Sequence, residues 1–104
     1  MADATDDRAL YTVVCHEDGG IVDDCIVYRF ASDHFRIVVN AANVDKDVQH
    51  FVRYAGDLCE IENRSDALAL IAVQGPNARE LTVRSCGEAL REIPSFGLGR
   101  GTCA

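Results

Sequence analysis

The sequence predicts an α+β fold, a mostly antiparallel sheet with about two helices packed on one face, in the order β-β-β-α-β-β-α. The first forty residues alternate between β-branched or aromatic runs and polar or glycine-containing turns, which favours an antiparallel meander. The apolar period then changes from two residues to between three and four, which indicates a helix. The 104 residues suffice for one domain with a modest core, and we treat 1–104 as a single unit.

Five stretches have the composition of strands. The first two are expected to form a hairpin, because residues 16–20 between them include two glycines, which reach the positive φ of tight turns. The last stretch is almost entirely apolar, so we expect both of its faces to be covered. Residues 1–9 and 94–104 lack a period and are predicted to be irregular. The five predicted strands are Leu10–Cys15, Ile21–Phe30, Phe35–Asn40, Leu58–Glu62 and Ala67–Gln74.

Two segments are predicted as helices. The first has Asn43 as its N-cap and ends at Gly56. Its apolar stripe consists of Val44, Val48, Phe51, Val52 and Ala55. The second opens at Gly75-Pro76 and ends at Gly87, with a further turn of helix expected over 88–92. Its predicted inner face consists of Ala78, Leu81, Thr82 and Ser85.

The charge and cysteine content exclude several classes of protein. A net charge of −7 argues against non-specific nucleic-acid binding. The excess of Asp, with Lys46 as the single lysine, indicates either a protein that works in high salt or compositional drift. No apolar run is long enough to cross a membrane, and the acidic N-terminus is not a targeting segment. Five cysteines without a Cys-x-x-Cys motif predict reduced thiols in the cytoplasm.

Two adjacent aspartates in the second predicted strand stand out, because Asp is depleted in strands. Neighbours in a strand point to opposite faces. Asp23 has a candidate partner in Arg29 or in another strand. The other residues on the face of Asp24 are apolar or aromatic and include Tyr28. Asp24 is therefore expected to have a raised pKa or to bind a ligand. The alternative is that the pair marks a β-bulge or accepts hydrogen bonds from backbone donors.

Other polar and aromatic residues are weaker candidates. Asn40 ends the third predicted strand, where its amide can both donate and accept hydrogen bonds. Tyr11 and Tyr28 are suited either to stacking on a flat ligand or to core packing. Residues 45–47 are interpreted as a solvated helix face.

The histidines and Cys15 do not predict a catalytic or metal site. Cys15 and His16 are neighbours in or beside a strand, so their side chains point apart and do not form a dyad. His34 and His50 lack metal-ligand spacing, and no metal is predicted.

Three motifs, GGIVDDCIVYR, FRIVVNAANVDKD and ALIAVQGPNA, occur in this order. Together they resemble the T-protein of the glycine cleavage system, the aminomethyltransferase family, in its central folate-binding region. The resemblance implies that Asp24 is the key acidic residue beside the reacting nitrogens of tetrahydrofolate. It also implies that Tyr11 and Tyr28 line the folate site and that Asn40 contacts the pterin.

The family reaction implied by this resemblance has tetrahydrofolate as co-substrate and the lipoylated H-protein as partner. The methylene of an aminomethyl group on the dihydrolipoyl arm passes to tetrahydrofolate, and ammonia is released. The family's N-terminal lead-in and its T-G-Y-T-G-E motif do not occur here. We therefore expect a portion of an aminomethyltransferase that is inactive alone.

Two other interpretations stay open. The chain is alternatively a folate-binding module of a related demethylating dehydrogenase or of an iron–sulfur repair protein. It is otherwise a non-catalytic remnant that acts by association, for example as a homo-oligomer through uncovered strands.

Overall fold

The computed structural model describes residues 5–103 and contains a three-stranded antiparallel sheet. The strands follow each other in space in the order β1-β2-β3. A β-bulge lies between β1 and β2, because Val14 pairs with Asp23 while Cys15 pairs with Ile21. The strands are β1 (Arg8–Cys15), β2 (Ile21–Ala31) and β3 (His34–Val39). The predicted meander is confirmed, with β1 starting two residues before the expected Leu10.

Helix α1 (Val44–Ala55) follows a single 3₁₀ turn at Ala41–Asn43. It lies against the beginning of β2, where Lys46 Nζ donates a hydrogen bond to the carbonyl of Val22 at 2.7 Å. The predicted bounds of this helix are confirmed. Asn43 occupies the N-cap position but makes no capping hydrogen bond with its side chain.

Helix α2 (Ala78–Cys86) packs against a 3₁₀ segment at Glu88–Glu92. Its buried centre is Val83, at 2 % exposure, whereas the predicted inner-face residue Leu81 is 54 % exposed. The predicted face was wrong for Leu81 and Ser85, which are exposed, whereas Ala78 and Thr82 are half-buried. The helix turns Val83 toward the segment that follows it. Arg91 from that segment binds Glu80 of α2 at 3.1 Å.

The α+β class is confirmed, but neither of the predicted strands Leu58–Glu62 and Ala67–Gln74 joins a sheet in the described residues. The second of these is also not covered, since Leu70 is 75 % and Ile71 is 81 % exposed. An apolar, β-branched run favours extended backbone, but a strand exists only where a partner offers its hydrogen bonds. Local composition predicted the extended backbone but not the absence of a partner strand.

The core of the described residues is small, and its buried apolar side chains are Cys25, Val27 and Val83. The segment from 94 reaches the outer edge of β1, where Arg8 forms an antiparallel bridge with Gly97. The segment expected to be irregular from 94 therefore has one ordered contact with the sheet. No helix in residues 5–103 is long and apolar enough to cross a membrane.

One disulfide, Cys86–Cys103, joins the end of α2 to the C-terminal segment. Cys15, Cys25 and Cys59 are free thiols. The expectation of reduced thiols throughout was therefore wrong for one pair. The reason is that the fold brings together two cysteines that are 17 residues apart, a proximity that spacing alone does not reveal.

Candidate functional site

The pairing of β1 with β2 places three of the predicted site residues on one face of the sheet. Residues directly opposite each other in an antiparallel pair share a face. Asp24 is opposite Val13, Tyr11 is opposite Ile26, and Tyr28 is opposite Ala9. Tyr11 is 57 % exposed, so this face is open rather than covered by a helix.

Asp24 is held on this face by two donors, one for each carboxylate oxygen. The Tyr11 hydroxyl donates to Oδ2, and the Asn40 side-chain nitrogen donates to Oδ1 at 2.7 Å. The Tyr11 hydrogen bond and then the Asn40 hydrogen bond lower the pKa of Asp24, against a smaller opposing effect of burial. Of the two expected possibilities, a raised pKa or a bound ligand, the first is therefore wrong, because these donors outweigh the cost of burial.

The pKa of Tyr11 changes in the opposite direction from that of Asp24. Its hydrogen bond to Asp24, and the negative charge of that carboxylate, raise the pKa of the Tyr11 hydroxyl. The phenol therefore stays protonated at neutral pH and remains a donor.

Asp23 points to the other face, is only 8 % exposed and accepts three hydrogen bonds. Its Oδ1 accepts from Asn40 Nδ2 and from the backbone N–H of Asp24, each at 2.9 Å, and its Oδ2 accepts from Asn43 Nδ2 at 2.8 Å. The hydrogen bond from Asn43, followed by that from Asn40, holds the pKa of Asp23 far below its usual range. The expected partner Arg29 forms an ion pair with Asp6 at 2.9 Å.

The alternative explanation for the two aspartates therefore applies to Asp23. That residue lies beside the β-bulge and accepts a backbone hydrogen bond. Asp24 faces the open side of the sheet, where the side chains of Tyr11 and Asn40 donate to its carboxylate. The two neighbours thus differ in environment as well as in face.

Asn40 connects the two carboxylates. Its Nδ2 nitrogen lies 2.9 Å from Asp23 Oδ1 and 2.7 Å from Asp24 Oδ1. A side-chain amide has two N–H donors on that nitrogen, so each carboxylate can receive one. The position of Asp24 is therefore coupled to that of Asp23.

Sequence reasoning missed Asn43 and Asp47. Asn43 was interpreted as a helix cap, but its amide binds Asp23. Asp47 was placed on a solvated helix face, and that prediction was wrong, since Asp47 is 0 % exposed. The signal was present in the sequence: Asp47 follows Val44 by three residues and precedes Phe51 by four, which is the spacing of the apolar stripe.

Tyr28 shares the face of Asp24 but lies four residues further along β2, or roughly 13 Å at about 3.3 Å per residue. The structure thus brings Tyr11, Asp24 and Asn40 into direct contact and leaves Tyr28 at the far end of the same surface.

The remaining candidates stay apart from this surface. The His16 ring packs edge-on against His50 at 5.9 Å, and Cys15 is exposed. Within residues 5–103, no group of three His, Cys, Asp or Glu side chains could hold a metal ion.

The candidate surface is an open face, not an enclosed cavity. A cavity of about 280 Å³ lies between the hairpin end and α1, where its lining includes His16, Lys46 and His50. Another, of about 370 Å³, is lined by Phe30 and by residues of both chain ends. Neither is lined by Tyr11, Asp24 or Asn40.

Comparison with known proteins identifies the family of the chain. The family model of the GCVT N-terminal domain matches residues 1–101. The chain belongs to this family. The resemblance to the glycine cleavage T-protein is thereby confirmed.

Members of this GCVT family with curated names are similar along nearly all of the chain. An aminomethyltransferase from Clostridium botulinum strain Loch Maree is 46 % identical over 96 residues, which is 91 % of this chain and 26 % of the relative. An aminomethyltransferase from Caldanaerobacter subterraneus is 39 % identical over 97 residues, with 92 % and 26 % covered. The chain thus spans about a quarter of the length of these relatives.

Proposed function

We propose that the open sheet face around Asp24 is the tetrahydrofolate-binding surface of an aminomethyltransferase of the glycine cleavage system. The observation that carries this proposal is the state of Asp24. It is an ionised carboxylate on an open aromatic face, fixed by Tyr11 and Asn40. Such a group suits a ligand that presents N–H donors from a flat ring.

The residues of this face fit tetrahydrofolate in two respects. A carboxylate has about four lone-pair sites, and Tyr11 and Asn40 occupy one on each oxygen of Asp24. Both oxygens therefore keep capacity for a ligand N–H. Tyr11 and Tyr28 lie on the same face, with Tyr28 two residues along β2 from Ile26, the residue opposite Tyr11, and they offer rings against which a planar ligand can pack.

The chemistry assigned to tetrahydrofolate is that of a nucleophilic amine which receives a methylene group. In the balanced reaction, the carbon–sulfur and carbon–nitrogen bonds of the aminomethyl-thioether break, and two new carbon–nitrogen bonds form. The two protons lost from the tetrahydrofolate nitrogens leave on the thiol and on ammonia. The donor is the lipoylated H-protein, and the chain described here contributes the acceptor side.

Asp24 acts on the reacting nitrogens in this proposal. Its negative charge orients an N–H and stabilises the positive charge that develops on nitrogen as the new bond forms. Tyr11 and Asn40 hold the carboxylate in place, which avoids reorganisation during the reaction. The low pKa of Asp24 suits a group that stays ionised, and it favours charge stabilisation over permanent proton capture.

We assign the chain to the cytoplasm as part of this proposal. Three of its five cysteines are free thiols, in agreement with a reducing compartment. The Cys86–Cys103 disulfide argues the other way. A count of free thiols in cells whose thiols are trapped with an alkylating agent at lysis decides between them, with five expected in a reducing compartment and three where the Cys86–Cys103 disulfide forms.

The proposal is tested by titration calorimetry of the chain with tetrahydrofolate. Asp24→Asn keeps the shape of the side chain but removes its charge, and Asn40→Ala removes the bridging amide. Each is expected to weaken binding by about tenfold or more, the cost of a hydrogen bond to a charged group. Asp33→Asn, in the exposed turn after β2, is the matched control and is expected to bind as the unaltered chain does.

Two outcomes contradict the proposal. One is no binding heat at millimolar tetrahydrofolate, which favours a chain that acts by association. The other is binding that Asp24→Asn and Asn40→Ala leave unchanged, which places the ligand elsewhere. Turnover with aminomethylated H-protein, with a full-length relative as positive control, then separates a transferase portion from a folate module of another enzyme.

A further inference from the structure

Asp47 is the most completely buried polar side chain in the described part of the chain. It lies on α1, where it faces β2, and none of its surface is exposed. Neither carboxyl oxygen receives a hydrogen bond from a donor in residues 5–103. The ammonium of Lys46 is 3.8 Å from Oδ1, beyond hydrogen-bond distance, and donates to the Val22 carbonyl at 2.7 Å.

An ionised carboxylate in this position costs free energy, because burial removes the water that solvates the charge and no donor takes the place of that water. A protonated carboxyl group has one O–H to donate. The neighbouring group on β2 that can accept this hydrogen bond is the carboxylate of Asp23. Asp23 already accepts hydrogen bonds from Asn40, Asn43 and a backbone N–H, so the negative charge of the pair belongs on Asp23 and the proton on Asp47.

We propose that Asp47 is a neutral carboxylic acid that donates a hydrogen bond to the Asp23 carboxylate and thereby acts as a positioning residue for Asn40 and Asp24. From Asp23 onward, the link to Asp24 runs through the Asn40 side chain. Asp23 Oδ1 is 2.9 Å from the Asn40 nitrogen, and the same nitrogen is 2.7 Å from Asp24 Oδ1. A change in the orientation of Asp23 is therefore transmitted to Asp24 through one amide.

The electrostatic surroundings agree with this assignment. Burial, followed by the hydrogen bond with Asp23 and the charge of Asp23, raises the pKa of Asp47. The charged or titratable groups that face it are Asp23 and Cys25 on β2 and Lys46 and His50 on α1, and the last two act in the opposite direction. Burial also raises the pKa of the Cys25 thiol, so that neighbour contributes no charge at neutral pH.

The first experiment needs no ligand. Aspartate carboxyl carbons of the whole chain are labelled with ¹³C and titrated by NMR, and the Asp47 resonance is identified by its loss in Asp47→Asn. We expect Asp47 to keep the chemical shift of a protonated acid at about pH 5, where an ordinary aspartate is ionised. An Asp47 that is already ionised at that pH overturns the proposal.

The second experiment compares two variants of Asp47. Asp47→Leu replaces the carboxyl group with a larger apolar side chain that has no donor, whereas Asp47→Asn supplies an N–H that can reach Asp23. We expect the side-chain amide resonances of Asn40 to shift in Asp47→Leu and to return toward their original positions in Asp47→Asn. Asp45→Asn is the control for loss of one helix carboxylate and is expected to leave them unchanged. Equal spectra for Asp47→Leu and the unaltered chain overturn the positioning role.

The functional consequence rests on the proposed function. Tetrahydrofolate binding is expected to weaken by about tenfold in Asp47→Leu and to be rescued in Asp47→Asn. Equal loss in both variants contradicts the positioning role, because the donor would then not matter. Absence of binding by the unaltered chain means that the proposed function has failed, and the NMR titration and the Asn40 resonances then decide on Asp47 alone.

Discussion

Asp23 and Asp24 are neighbours in the chain with different environments. Asp23 is nearly buried and accepts three hydrogen bonds, while Asp24 faces the open side of the sheet with two donors. Alternation along β2 separates them, because successive side chains point to opposite faces. One strand therefore carries a structural carboxylate and a candidate ligand-binding carboxylate side by side.

The hydrogen bonds of Asp23 lead to a prediction about acid denaturation. The pKa of Asp23 is lowered in the folded state, chiefly by Asn43 and Asn40. Its stabilising contribution is therefore present above its unfolded pKa, about 3.9, and is lost as the pH falls below that value. Urea unfolding between about pH 6 and pH 3 is expected to give a steeper loss of stability for the unaltered chain than for Asp23→Asn.

Asp24 also has a lowered pKa, so the slope in Asp23→Asn is reduced but not abolished. Asp33→Asn is the control and is expected to keep the full slope. Identical pH dependence of the free energy of unfolding in Asp23→Asn and in the unaltered chain contradicts the role given to the Asn40 and Asn43 hydrogen bonds.

At the scale of elements, the segment 67–74 is the clearest difference between pattern and structure. Its apolar side chains predict a covered strand, yet they are exposed in the absence of a ladder partner within the described residues. The exposed apolar residues of this segment are Leu68, Leu70, Ile71 and Val73. Exposed apolar surface of this kind binds hydrophobic dyes and favours association.

We expect the chain to enhance the fluorescence of the dye ANS, and the double change Leu70→Ser with Ile71→Ser to reduce that enhancement. These are two of the four exposed apolar residues of the segment, so a decrease of about half is expected if dye binding follows exposed apolar area. Gln74→Ser is the control for a change in the same segment without loss of apolar surface. Unchanged dye binding in the double variant, with an unchanged circular dichroism spectrum, shows that this segment is covered.

Elements defined by near neighbours were predictable from the sequence, and long-range pairings were not. The meander and α1 follow from alternation, turn residues and a 3.6-residue stripe. The buried position of Asp47 was readable from that same stripe, but its acidic character favoured a solvated interpretation. The Cys86–Cys103 disulfide and the unpaired state of 67–74 depend on contacts between distant residues, which local propensity does not contain.

The sequence predicted which residues form the candidate site better than it predicted how those residues contact each other. Asp24, Asn40 and Tyr11 were named from the face pattern and the family resemblance, and their side chains are in contact in the structure. A raised pKa of Asp24, one of the two possibilities that the sequence left open, was wrong, because the sequence does not show which donors reach a carboxylate. Asn43 was missed because Asn before a helix is usually a cap.

At the scale of the whole molecule, the chain is expanded for its length. Its radius of gyration is 15.6 Å, against roughly 13 Å for a compact domain of about 100 residues. A small core then stabilises a chain with a net charge of −7. Repulsion between like charges is therefore a large term relative to the burial of apolar surface.

Salt is accordingly expected to stabilise the chain. Raising KCl from about 0.1 M to about 1 M shortens the screening length from about 10 Å to about 3 Å, and the free energy of unfolding is expected to rise. Sucrose at equal osmolality is the control for effects other than screening. Equal stability in dilute buffer and in 1 M KCl would indicate that the acidic composition reflects drift and not a high-salt habitat.

The contact between the Tyr11 hydroxyl and Asp24 has an optical consequence. The chain has no tryptophan and three tyrosines, so its ultraviolet emission comes from phenols alone, and two of the three lie on the face of Asp24. A molecule that takes the carboxylate away from Tyr11 changes the intensity of that emission. The surface can thus report its own occupancy without any attached label.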